Sequence, residues 1–221
     1  MGTCEGARGQ RPRFQEMSLK ITIATSDGDK KICDNIVIEN HSYVASAKTV
    51  GRVIKYLIYY ENEVVGTFWL GSGFKPTPKS ILNYFNKSQS QFDEMFNAVA
   101  DNKRFCLIKS IPNLGSQVLK AIRNRAKQDW YDKYDDDLQA IVTTIGADKK
   151  GSVYLADNWE FIGQTAGLPK ERKSFSFKWD QGKEHLKTET GWVDGKDRKR
   201  ILITSKLKDK ILKPTLDEFF N

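Results

Sequence analysis

The sequence predicts a mixed α/β fold of the α+β type, with a central mixed sheet flanked by helices. Three observations point to it. Short β-rich runs recur from Leu19 to Thr204, amphipathic helical runs separate them in the middle of the chain, and a hairpin stands near the start.

Residues 1–17 hold Gly2, Gly6, Gly9, Arg8, Arg11, Pro12 and Arg13 and almost nothing to bury, so they read as a disordered tail, with Met17 an alternative start. A strand is expected at 19–24, a turn at 27–29 and a helix at 30–39. A polar junction, Asn40-His41-Ser42-Tyr43, follows. Runs 53–60 and 64–70 flank Glu61-Asn62-Glu63, a hairpin signal. Residues 79–99 carry apolar side chains at loosely helical spacing. A strand is expected at 104–111, then a tight loop, then a helix capped by Ser116 and running to about Tyr131. Further elements are a strand at 138–145, a short helix at 151–158, and strands at 161–164, 174–179 and 200–204. The expected organisation is one domain over 18–205, with a basic region from 168 to 205. Residues 206–221 form a linker and terminal peptide.

Composition narrows the function. The chain has 221 residues, with 36 Lys+Arg against 28 Asp+Glu, a net charge of +8. That balance suits an anionic partner, nucleic acid foremost, although a basic surface can also serve solubility alone. No apolar run is long enough to span a bilayer, so no membrane partner is expected. Cysteines at 4, 33 and 106 and histidines at 41 and 185 do not form a disulfide framework or a zinc-finger pattern. No apolar signal region begins the chain, so a cytoplasmic setting is expected, the host cytoplasm if the gene is a phage's.

Five constellations carry chemistry. The loop Pro112-Asn113-Leu114-Gly115-Ser116 joins a strand to a helix start, where free backbone N–H groups can meet an anion. An ordinary helix start has the same look. The run from Gly151 to Gly167 puts Tyr154 and Asn158 four residues apart, on one face if helical, with Tyr154 a potential general acid; a plain Tyr–Trp core is the alternative. Gly163 in this run marks a close backbone approach. His41 is the better placed of the two histidines to act as base or metal ligand. The basic stretch 170–213 interleaves cations with Phe175, Phe177, Trp179 and Trp192, suited to phosphate contact and base stacking, or equally to a solvated face. Candidate contacts are Lys170, Arg172, Lys173, Lys178, Trp179, Arg198, Lys199 and Arg200. Finally, Leu216, Phe219 and Phe220 would share one side of a helical turn. That tail resembles the sliding-clamp peptides of replication proteins, with Lys213 where their pattern has glutamine; a tail folded back on its own core is the alternative.

In order, Asn102-Lys103-Arg104-Phe105, Asn113-Leu114-Gly115-Ser116-Gln117, Asp129-Trp130-Tyr131 and Gly151-x-x-Tyr154-x-Ala156-x-Asn158-Trp159-x-x-x-Gly163-x-Thr165-x-Gly167 resemble the Mom family of phage DNA-modification proteins. The series is also similar to the DruA proteins of Druantia anti-phage systems. The resemblance spans about 36–170. It implies a GNAT-like fold and a transferase that adds a methylcarbamoyl or acetamido-type group to the exocyclic amine of adenine in double-stranded DNA, shielding it from restriction. It implies an acyl-CoA or related donor, held by Arg104, Leu114, Gly115 and Ser116, and an iron ion, for which His41 and Asp157 are the ligand pair. By position it implies catalytic roles for His41, Tyr59 (or Tyr60), Ser116, Tyr154, Asp157 and Asn158, with Trp159 or Tyr43 stacking on a flipped base. The glycine-poor loop at 112–116 departs from true GNAT acyltransferases. A non-catalytic DNA-binding defence protein and an acetyltransferase of small amines or proteins are the other readings.

Overall fold

A computed structural model describes residues 19–41, 47–73, 75–165 and 198–209. Thirteen short segments make up this part. Strand β1 (Leu19–Ile23) leads into helix α1 (Asp27–Asn40), which begins three residues before the expected start. Ser26 explains this: its Oγ accepts from the backbone N–H of Asp29 at 3.1 Å, and Asp27 and Asp29 sit favourably at the positive helix end. Strands β2 (Val53–Tyr60) and β3 (Glu63–Ser72) form the expected hairpin. Its turn is tight because Glu61 and Asn62 both take positive φ, 51° and 68°.

The loosely helical run 79–99 is two helices, α2 (Lys79–Phe85) and α3 (Gln89–Glu94), followed by a single 3-10 turn over Phe96–Ala98. Asn86, left-handed at φ 51°, ends α2, and Ser88 with Gln91 forms a capping box that starts α3. Strand β4 (Val99–Leu107) starts five residues earlier than expected and stops four residues earlier. Helix α4 (Leu114–Tyr134) then precedes β5 (Ala140–Ile145), α5 (Ser152–Ala156), β6 (Glu160–Gln164) and β7 (Arg200–Thr204). The N-cap of α4 is Asn113, not Ser116, whose hydroxyl donates back to the Asn113 carbonyl at 3.0 Å. The expected strand at 174–179 lies outside the described residues.

All seven strands belong to one sheet in the order β1-β2-β3-β4-β5-β7-β6, antiparallel except for β4 and β5. This is the mixed α/β architecture that the sequence predicts. One face packs α4 and α5 over Tyr56, Phe68, Leu70, Ala100 and Ile141. On the other, α1 covers Leu57, Trp69 and Cys106, while α2 and α3 cover Val99, Val142, Ile201 and Ile203. The alternation of side chains along each strand sorts these residues to their two faces. Among the described residues no helix is long and apolar enough to cross a membrane.

Candidate active site at the parting of two parallel strands

β4 and β5 pair only at Val99–Ala140, Ala100–Ile141 and Asp101–Val142, although β4 runs on to Leu107 and β5 to Ile145. A bulge explains the parting. Leu70 of β3 faces Asn102 and Trp69 faces Arg104, so Lys103 is the extra residue. Such an insertion bends its strand, here at the point where the ladder to β5 ends.

Two polar groups occupy the α4–α5 side of this fork. Asn102 Nδ2 donates to the Tyr154 hydroxyl oxygen at 2.9 Å and lies 3.4 Å from Thr143 Oγ1. All three residues are buried. The Tyr154 ring stands edge-on to Phe105 and Trp159, which holds it upright beneath the gap.

The other side carries Asp101, only 3% exposed. One carboxylate oxygen meets Lys103 Nζ at 3.1 Å; the other, also buried, has no hydrogen-bond partner among the described residues. Burial pushes this carboxyl up from 3.8 to about 6, against the pull of Lys103, Arg104 and Lys199. Beside it lies a mainly apolar dimple with about 10 Å³ of free volume, walled by Ile81, Phe92, Phe96 and Val142. His41 caps the C-terminus of α1. Burial, then the nearby Arg104 charge, hold its imidazole below its ordinary value.

Of the residues singled out from sequence, the structure brings Tyr154 to the fork and His41 and Arg104 to its Asp101 side. Tyr59 packs instead against the buried cluster under α1 that holds Cys33, Leu57 and Trp69. Asp157 is committed to structure: Arg123 Nε and Nη2 each donate to it at 2.7 Å, and Trp159 Nε1 donates at 3.0 Å. α5 ends at Ala156, and Asn158 is exposed in the left-handed region at φ 60°, so Tyr154 and Asn158 do not share a helical face. Asp157 stands on the α4–α5 side and His41 on the α1 side, so the sheet separates the expected iron ligands. Among the described residues no group of three or more His, Cys, Asp or Glu side chains could hold a metal ion. Trp159 is 3% exposed and cannot stack on a base, while Tyr43 lies outside the described residues.

For the donor loop, Leu114 is fully buried. A Cβ on Gly115 would come within 2.4 Å of Val153 Cγ2, so that glycine serves the packing of α4 on α5. Ser116 bonds within its own turn. The loop therefore offers an anion its backbone N–H groups and a first helical turn free of acidic residues, with none of these three side chains directed to it.

At the far edge, Arg200 lies over the Phe161 ring at 4.9 Å and donates to the Lys149 and Lys150 carbonyls. Gly163 does meet a neighbour closely: its Cβ would fall 2.8 Å from Ser80 Cβ. Arg198 and Lys199 precede β7. Lys170, Arg172, Lys173, Lys178 and Trp179, like Leu216, Phe219 and Phe220, lie outside the described residues.

The Druantia protein DruA family matches the chain over residues 5–212. The chain belongs to the DruA family. No curated protein matches this DruA-family chain. Among solved structures, it is similar to an aminoglycoside acetyltransferase in complex with coenzyme A and kanamycin, at 10% identity and a TM-score of 0.48, over 85% of this chain and 95% of that one. An N-acetyltransferase from Staphylococcus aureus Mu50 gives 11% identity and 0.48, over 86% and 98%. A GNAT family acetyltransferase from Elizabethkingia anophelis with acetyl-CoA bound gives 13% and 0.40, over 85% and 97%.

Sequence reasoning gave Asp101, Asn102 and Lys103 no role in a site, because it starts the strand at 104, after two residues of poor strand propensity. The available signal was the apolar flank on each side, Val99-Ala100 and Phe105-Cys106-Leu107.

Proposed function

We propose that this DruA-family protein is an acyl-type transferase that modifies the exocyclic amine of adenine in DNA as part of anti-phage defence. The fork carries the reading: a bulged β4 parts from β5 where a tyrosine hydroxyl lies on one face and a buried carboxyl on the other. An acyl-CoA or related thioester would supply the activated acyl group. The chain's own residues would do the rest. Backbone of the parted strands would orient the donor. Asn102 donates to the Tyr154 oxygen and so fixes the phenol, whose hydroxyl would serve as the acid toward a leaving group.

The DNA half of the proposal is supported by charge. The chain carries +8, and Lys103, Arg104 and Lys199 gather around Asp101. The same cations support a second reading, a DNA-binding defence component without catalysis. A sliding clamp bound through Leu216, Phe219 and Phe220 is a separate proposal, tested by clamp pull-down with and without residues 214–221.

Nucleoside mass spectrometry of plasmid DNA from cells expressing the full chain tests the main reading. We expect a heavier deoxyadenosine that is lost with Tyr154→Phe. Unmodified DNA, with soluble protein that binds DNA tightly, would move the assignment to the second reading.

A further inference from the structure

Phe161 ends a row of side chains that crosses the sheet from the fork. Asn102 Nδ2 reaches Thr143 Oγ1 at 3.4 Å, Thr143 pairs with Leu202, and Leu202 pairs with Phe161. Paired residues turn the same way, so Phe161 shares the α4–α5 face with Asn102 and Tyr154. It stands three strand spacings, about 14 Å, across the sheet from Asn102. A bulge keeps it on that face: Ile162 is the extra residue and packs into the cluster under α2 and α3. Glu160, opposite Ile203, turns to that second face as well. Among the described residues no aromatic ring is more exposed than Phe161, at 47%.

Cations meet the ring from one side. Arg200, opposite Ile145 at the open end of the fork, lies over it at 4.9 Å. Arg200 Nη1 donates to the Lys149 and Lys150 carbonyls at 3.3 and 3.2 Å, which fixes the guanidinium over the ring and brings that loop beside it. Lys150 is exposed, and Lys149 pairs with Asp148 at 3.2 Å.

We propose that Phe161 and Arg200 form a platform for one unpaired nucleotide of the DNA strand that enters the fork. The base stacks on Phe161, and its phosphate meets Arg200 and Lys150. This rests on the DNA half of the transferase reading above and adds a strand-binding subsite to it. Paired bases show a protein their edges, so a surface ring can stack only on a base that has left its own helix. A base that is to be modified must itself leave the helix, which opens the strand around it. At the duplex rise of about 3.4 Å, the distance from the fork to Phe161 spans about four nucleotides. A fixed cation over an exposed ring offers the phosphate and the base of one nucleotide a partner each.

Fluorescence anisotropy on the full chain tests the platform. The probes are a short labelled oligothymidylate, the same strand with abasic sites in place of its bases, and the oligothymidylate paired to its complement. We expect the wild type to bind the oligothymidylate at least about fivefold more tightly than the abasic strand, the weaker end for one base stack. Phe161→Leu should abolish that preference and leave binding of the abasic strand and of the duplex unchanged, whereas Phe161→Trp should keep it. Arg200→Gln should weaken binding of both single strands and flatten its dependence on salt. A wild type without base preference, a preference that survives Phe161→Leu, or an equal loss on the duplex would overturn the platform and leave the DNA reading standing. Failure of the wild type to bind any of the three probes would overturn both.

Discussion

Asp101 and Asn102 are consecutive in β4 and turn their side chains to opposite faces of the sheet, at the residue where the ladder to β5 ends. Strand alternation alone does this. The consequence is chemical. A buried carboxyl and a hydroxyl held by Asn102 lie on either side of one gap, with the sheet's own backbone between them. In the transferase proposed above, the hydroxyl would thus act from one face and the carboxyl from the other.

Tyr154→Phe removes the proposed proton donor and leaves the buried Asn102 amide without its acceptor at 2.9 Å. Transfer should fall on the order of 10²-fold. Stability should fall by about 1 kcal/mol, read by urea unfolding. A retained modification signal with the same stability loss would make Tyr154 purely structural.

The raised carboxyl of Asp101 gives a stability signature. Between its ordinary 3.8 and about 6, the native state holds a proton there that the unfolded state has lost. Stability therefore decreases as pH rises through that window, by up to about 3 kcal/mol, and the contribution is flat above it. Lys103, Arg104 and Lys199 face the group, and among the described residues α2 and α3 bring apolar Ile81 and Phe92 to the same dimple. Urea unfolding from pH 4 to 7 should show a fall in wild type relative to Asp101→Asn. Parallel curves for the two proteins would rule out the perturbed carboxyl.

Asp157 behaves as a strut in this structure. Its forked pair with Arg123 joins α5 to α4, and Arg123 Nη1 also donates to the Lys206 carbonyl at 2.7 Å. Asp157→Asn should cost about 3 kcal/mol, because it leaves a guanidinium 13% exposed without its counter-ion. The double change Arg123→Met with Asp157→Leu should recover much of that loss. A stable Asp157→Asn protein that has lost activity would restore the catalytic role read from the sequence.

Gly115 separates packing from phosphate binding. Gly115→Ala drives a methyl into Val153 and should destabilise the chain by about 2 kcal/mol. Adding Val153→Ala should restore stability, and with it donor binding measured by calorimetry with coenzyme A. Restored stability without restored donor binding would show that the backbone at Gly115 touches the donor.

The elements read from sequence were those with a local cause. The hairpin at Glu61–Asn62, the run of β5 and the amphipathic α4 follow from turn chemistry and hydrophobic period, and their boundaries moved by only a few residues. The basic charge and the place of Tyr154 after β5 were also legible, as was the similarity to DruA proteins, the part of the resemblance that the family match bears out. β4 was misplaced where it matters most. Asp101 and Asn102 have poor strand propensity, and only burial between β3 and β5 makes a strand of them. Asp157 looked catalytic for the converse reason: its partner Arg123 is 34 residues away in the chain and reaches it only once α4 packs on α5. Likewise nothing local could separate His41 from Asp157, since the sheet that stands between them is assembled from seven strands. Sequence alone determines which segments fold and what charge they carry; long-range pairing decides which polar side chains meet, because only packing brings distant residues within the few ångströms over which they interact.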